Sequence, residues 1–316
     1  MMRTWISGFI RKNKEKITKA IKTIVLVIIS IIVIAMILTS LQTLYKNDEN
    51  FRNEIYTPEK TAIGGKNVTE NIFKEDSEII EEFVKNCNEG NVSEAYNLLT
   101  NECKETLYPT LERFTENYYK NVFVSKREHN LQSWINDKNC TTYRVRMIED
   151  IMATGNYEES RKVQDYITVI TNGGDKKINI NSYIKQEEIN KKTETDELSI
   201  LVTKKDVYMD YEKYTLVVTN KTEEDILLDS LKNMSETLVL ESGFNRVEYK
   251  VYANEINRMK LTIEDRETKE ISIKFTKTYN LREENQYINF KNIITNINEY
   301  KENEKEYEAK TVRIEV

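Results

Sequence analysis

Residues 78–123 read EIIEEFVKNCNEGNVSEAYNLLTNECKETLYPTLERFTENYYKNVF, and their apolar spacing is that of helices. Ile79, Ile80, Phe83, Val84 and Cys87 recur at i, i+1, i+4, i+5 and i+8, which is one face of an α-helix starting near Asp76. Ser77 is placed to cap that helix and Gly90 to end it. Val92, Ala95, Tyr96, Leu98 and Leu99 form a second, shorter stripe behind Asn91 or Ser93. A third helix is expected from Leu107 to Val124, with Pro109 in its first turn and Leu111, Phe114, Tyr118 and Val122 on its buried side.

Downstream the period changes to two. Tyr143, Val145 and Met147 alternate with Arg144 and Arg146, and two further apolar runs flank Asn172-Gly173-Gly174-Asp175. The paired glycines supply the positive φ that a two-residue hairpin loop needs. The expectation for residues 72–195 is therefore an α+β layer, three helices on a curved antiparallel sheet.

The quoted stretch resembles the nuclear transport factor 2-like superfamily, whose first helix leads through a G-x-x-x-x-A-Y-x-x-L turn into a short second helix. Here those positions are Gly90, Ala95, Tyr96 and Leu99. The resemblance implies a cone-shaped fold and transfers no catalytic residue. It also extends to extracytoplasmic domains of Gram-positive surface proteins and to TcpC-like conjugation subunits. In such a cone Tyr118, Phe123, Trp134 and Tyr143 either line a ligand cavity or pack as the core.

From residue 204 to 316 the chain is expected to be all β. Short apolar runs such as 214–220, 237–242, 270–275, 286–293 and 310–316 are separated by turn-rich breaks. The spacing fits a β-sandwich. The run Thr215–Thr222, TLVVTNKT, resembles immunoglobulin-like domains of bacterial surface proteins, and no Cys…Trp…Cys core of the antibody type is present. The charged segment QEEINKKTETDEL (186–198) opens the boundary between the two domains, which is set at 195–204.

Working back toward the N-terminus, residues 42–71 read as a stalk, with Pro58 and Gly64-Gly65. Before it, Thr23–Leu41 (TIVLVIISIIVIAMILTSL) carries no charge. At 1.5 Å per residue it would extend about 28 Å, matching a bilayer core of ~30 Å. The leader 1–22 holds Arg3, Arg11, Lys12, Lys14, Lys16, Lys19 and Lys22 against Glu15 alone. The positive-inside rule then places the N-terminus in the cytoplasm and the bulk of the chain outside, anchored to the bilayer through residues 23–41 as a single-pass cell-membrane protein. The composition, rich in Lys, Asn and Ile, resembles that encoded by an AT-rich genome, and a low-GC Gram-positive bacterium is the expected source. A net charge of −6 with a basic leader leaves an acidic body, which argues against nucleic-acid binding.

The chemistry-bearing residues are sparse. His129 stands alone and is expected in an exposed loop, so no cluster of histidines can hold a metal. Cys87, Cys103 and Cys140 leave at least one thiol unpaired, and which pair, if any, is oxidised stays open. No catalytic set, metal site or cofactor motif is expected. The function that follows is a non-enzymatic scaffold or protein-interaction protein of the cell envelope. The alternatives are a ligand or wall-fragment sensor using the cone, or a subunit of a conjugation or secretion channel.

Overall fold

A computed structural model describes residues 22–23, 30, 32–36, 61–62, 64–137, 140–149, 162–230, 232–243, 245–282 and 284–316. The chain divides into two compact units, Met1–Thr57 and Pro58–Val316. The second unit carries all the elements named below.

Helix α1 (Glu70–Glu89) starts ahead of the expected Asp76. Thr69, in extended conformation, caps it by accepting the Ile72 amide, and Asp76 falls inside the helix and is buried. Gly90 ends it at φ 78°, a left-handed conformation that glycine reaches without strain. Two short helices follow, α2 (Val92–Asn97) and α3 (Asn101–Leu107), the latter capped by the Thr100 hydroxyl. The third expected helix is broken into α4 (Leu111–Phe114), a π-helical turn (Thr115–Tyr119) and α5 (Lys120–Val122). The wider turn stacks Phe114 on Tyr118, with ring centroids 5.7 Å apart, and leaves Leu111 exposed.

These helices cover one face of a five-stranded sheet ordered β1-β2-β3-β4-β5. Its strands are β1 (Gly64–Gly65), β2 (Arg127–Asp137), β3 (Cys140–Glu149), β4 (Val163–Asn172) and β5 (Asp175–Asn179). All neighbours are antiparallel except β1, which adds parallel to β2. Gly173 (φ 59°) and Gly174 (φ 100°) make the β4–β5 loop. Phe83, Phe114, Tyr118, Tyr143, Val145 and Ile167 meet in the core beneath the helices. Each such side chain contributes about 1.5–3 kcal/mol by burial. A register shift between Ser133 and Ile135 turns the end of β2 over, so that Leu131 faces the helical core and Ile135 faces a second cluster with Ile184, Val207 and Met209.

The chain continues into β6 (Tyr183–Glu194), β7 (Leu198–Tyr208) and β8 (Glu212–Asn220). They form a sheet ordered β13-β8-β7-β6 with β13 (Thr268–Phe275). The expected domain boundary at 195–204 thus begins in the turn between two strands of one sheet and runs into the second of them. A short pair joins β9 (Ile226–Leu227) to β12 (Thr262–Ile263). The remaining sheet is ordered β11-β10-β14-β15, from β10 (Leu238–Ser242), β11 (Val247–Lys250), β14 (Gln286–Ile293) and β15 (Lys310–Glu315). The two four-stranded sheets share one apolar core, with Ile200, Tyr214 and Leu216 from one and Leu240, Phe290 and Val312 from the other.

Two expectations need correction. First, the expected series of a transmembrane helix, an α+β cone and an all-β sandwich gives way to a mostly β fold of several sheets, with the described residues 44% strand and 28% helix. Second, single-pass anchoring in a cell membrane is not supported. Among the described residues no helix is long and apolar enough to cross a membrane. Of the run 23–41, the described positions are Thr23, Ser30 and Ile32–Met36, all helical. The rest of that run, most of the leader and most of the stalk lie outside the described residues.

Candidate functional site

Of the four aromatic residues weighed as cone lining or as core, three are packed in the core and Trp134 lies at the edge of a smaller cluster. Tyr118 and Tyr143 are almost fully buried, and each gives its phenol hydrogen to a buried carboxylate. Tyr118 donates to Asp165 (2.8 Å) and Tyr143 to Asp76 (2.7 Å). Phe123 stacks on Tyr119 at 6.2 Å and meets Phe83 edge-on. These three share the helical core. Trp134 lies apart, half-buried against Tyr166 and beneath the Arg144 guanidinium, 4.5 Å from its ring. None of the four lines either of the cavities described next.

His129 is also placed differently from the expected loop. It sits half-buried within β2 opposite Met147, and burial lowers its pKa despite the nearby Glu81. The three cysteines are free thiols. Burial pushes Cys87 and Cys103 up to about 12 and Cys140 up to about 11. Among the described residues, no cluster of three or more His, Cys, Asp or Glu is placed to hold a metal ion.

The open spaces lie elsewhere. A groove of about 600 Å³ opens on the face of the five-stranded sheet away from the helices. Its floor holds Cys140, Ile170 and Lys177, register partners on adjacent strands, whereas the neighbouring Val169 and Ile178 point into the helical core. The segment 99–104 forms one wall. It reaches this face because Leu99 bridges in parallel to Ile178 at the sheet edge, with Ile178 donating to the Leu98 carbonyl and Thr100 donating to the Ile178 carbonyl (3.0 Å each). Strand β6 forms the opposite wall through Ile184 and Lys185. Glu102 ties the walls together by accepting from the Tyr183 hydroxyl and the Gln186 amide, both at 2.8 Å.

Two lysines stand on the groove without an ion pair among the described residues. Lys104 lies 4.8 Å from the Tyr96 ring centroid, and Lys177 donates to the Asn97 carbonyl at 2.8 Å. Their anchors, Tyr96 and Asn97, are consecutive residues at the end of α2. Burial lowers the pKa of Lys104, and the positive charge of Lys177 lowers it further.

A second chamber of about 420 Å³ adjoins the groove and shares Asp137 and Lys185 with it. Five of its charged side chains form ion pairs with one another. Glu187 accepts from Lys185 (2.8 Å) and Lys205 (2.7 Å), and these bonds hold its carboxyl below the usual range although burial opposes them. Deeper in, Lys277 pairs with Glu212 at 2.6 Å, and the Tyr214 hydroxyl donates to the same carboxylate at 2.7 Å. All three side chains are buried.

No protein-family model, curated protein or solved structure matches the chain, and nothing identifies a nuclear transport factor 2-like or immunoglobulin-like domain. The groove is not foreseeable from local pattern. It is assembled from lysines, asparagines and isoleucines on separate elements, each ordinary in its own segment.

Proposed function

We propose that this chain is a non-enzymatic binding protein that takes a small polar ligand in the groove between segment 99–104, the outer face of the five-stranded sheet and the start of β6. The observation that carries this reading is that Lys104 and Lys177, neither ion-paired among the described residues, both line a groove of about 600 Å³. A pocket of that size with a few convergent polar groups is the usual form of a small-molecule site. Its walls are strands and a helix fixed by Glu102, so the site is preorganised.

The chemistry nearby favours binding over turnover. The Cys140 thiol in the groove, pushed up to about 11, is protonated at neutral pH and is a poor nucleophile. The buried Asp–Tyr pairs sit in packed core instead of facing the groove. This favours the ligand-binding alternative over a pure scaffold, with the ligand on the outer sheet face and not inside a cone. The mostly β fold is consistent with an immunoglobulin-like sandwich for residues 204–316, which belongs to the same proposal as a rigid support for β6.

The test is a small-molecule screen of the full chain by thermal unfolding, followed by amide chemical-shift mapping of each hit. Hits are expected to raise the melting temperature and shift Thr100–Lys104, Lys177 and Lys185. A screen in which every hit maps elsewhere, or none appears, would overturn the reading.

A further inference from the structure

We infer that the groove recognises a phosphomonoester, with Lys104 and Lys177 clasping the phosphoryl group and the half-buried Ile170 contacting the organic body. The inference rests on the binding reading above and adds the chemical class of the ligand.

Two cations near enough for one charge to act on the other, with no ion-pair partner for either among the described residues, repel each other. Lys104 sits over the Tyr96 ring and Lys177 on the Asn97 carbonyl, so both are steered to the same end of α2 by contacts that do not neutralise them. The carboxylates lining the groove do not fill that role. Glu102 is held at the far wall by Tyr183 and Gln186, and Asp137 lies against Tyr279. Asp175 stands at the exposed hairpin tip and makes no ion pair with either lysine. A dianion between the two ammonium groups would relieve the repulsion and neutralise both.

Ligand charge then discriminates. A phosphomonoester carries about −1.5 to −2 near neutral pH, matching two cations. A carboxylate carries one charge and leaves one lysine uncompensated. Lysines act on phosphate as point charges, needing no planar fork, and the groove is lined by lysines and no arginine. Ile170 on the groove floor offers apolar contact for a sugar or base of modest size, and the volume excludes a polymer held along its length.

Isothermal titration of the full chain with glucose 6-phosphate and AMP, beside glucose, adenosine and succinate, tests this. Both phosphates are expected to bind, the uncharged pair not detectably, and succinate at least about tenfold more weakly than the phosphates. The variant K104Q/K177Q is expected to weaken phosphate binding about tenfold or more, and K104R/K177R to restore most of it. A thermal melt of each variant shows whether it is folded, and the arginine variant keeps the test decisive if the glutamine variant is not. Equal binding of glucose or adenosine, or of succinate, would overturn the phosphoryl assignment and leave the groove as a binding site. Phosphate binding unchanged in folded K104Q/K177Q would also overturn it. Binding of no probe, together with failure of the broader screen, would remove the binding reading as well.

Discussion

Tyr118 and Asp165, 47 positions apart in sequence, meet inside the helical core, where the phenol donates to the carboxylate at 2.8 Å. The same carboxylate accepts the amides of Asn181 and Ser182, both at 2.9 Å. Those two residues hold consecutive left-handed conformations, φ 58° and 61°, which cost roughly 1–2 kcal/mol each for non-glycine residues. Asp165 thus pins the turn that carries the chain from the five-stranded sheet into β6. Tyr118→Phe should lower stability by about 1–3 kcal/mol in urea denaturation, because a buried acceptor loses one partner. A loss below a few tenths would show that the bond carries nothing.

The carboxyl of Asp165 also makes a pH prediction. Burial raises its pKa above the ordinary 3.8, although the hydrogen bonds from Asn181, Tyr118 and Ser182 oppose the shift. The folded state therefore binds the proton more tightly than the unfolded chain. The associated stabilisation is fully present below the unfolded value and is lost as pH rises through the raised folded value. Asp165→Asn should abolish this component, so the stability difference between wild type and variant should change with pH across that window. Parallel curves for the two proteins would contradict it.

Lys277 and Glu212 pair at 2.6 Å with both side chains buried. Removing one partner strands the other charge. Lys277→Met alone should cost about 3–5 kcal/mol, and Glu212→Gln/Lys277→Met should recover a large part of that loss. A double-mutant cycle by chemical denaturation gives the comparison, and additive single effects would exclude the coupling.

Gly65 and Gly90 both hold positive φ, 95° and 78°, but their surroundings differ. A Cβ at Gly90 meets nothing within 4 Å, whereas one at Gly65 would collide with the Asn136 carbonyl oxygen. Gly90→Ala should cost about 1 kcal/mol, the conformational term alone. Gly65→Ala should in addition strip β1 from β2, read as faster amide hydrogen exchange along residues 61–66. Unchanged exchange there would mean that β1 tolerates the side chain.

What can be read from the sequence follows the length scale of the interaction. The Asn172–Asp175 hairpin is legible because two glycines at a turn are a local signal, and Ile79, Phe83 and Cys87 are legible because a helix face repeats within one segment. Strand β6 reads as a charged boundary because it is an edge strand with little apolar alternation. Only Ile189 of QEEINKKTE leans on the core, and a register shift between Glu188 and Lys191 breaks any period. The start of α1 is easily misplaced because Ser77 looks like a cap, yet its hydroxyl donates back to the Lys74 carbonyl within the helix. That Tyr118 is buried is readable, but that its hydroxyl finds Asp165 depends on strand register. The groove depends on it even more, since register alone sets Cys140, Ile170 and Lys177 side by side.

The three thiols offer a check on where the groove opens. Cys87 and Cys103 are buried in the helical core, while Cys140 is half-buried on the groove floor. All three are raised by burial, to about 12, 12 and 11, so each is overwhelmingly protonated at pH 8. Labelling with a charged disulfide reagent should therefore be slow throughout the native protein, with Cys140 reacting first and the other two only as the core opens. In denaturant all three should react at the rate of a free thiol with pKa near 8.5. An occupied groove should slow Cys140 and leave Cys87 and Cys103 unchanged, because only Cys140 shares space with the ligand. Mass spectrometry of the labelled peptides over time resolves the order, and early labelling of Cys87 or Cys103 would contradict the packing of α1 and α3 against the sheet.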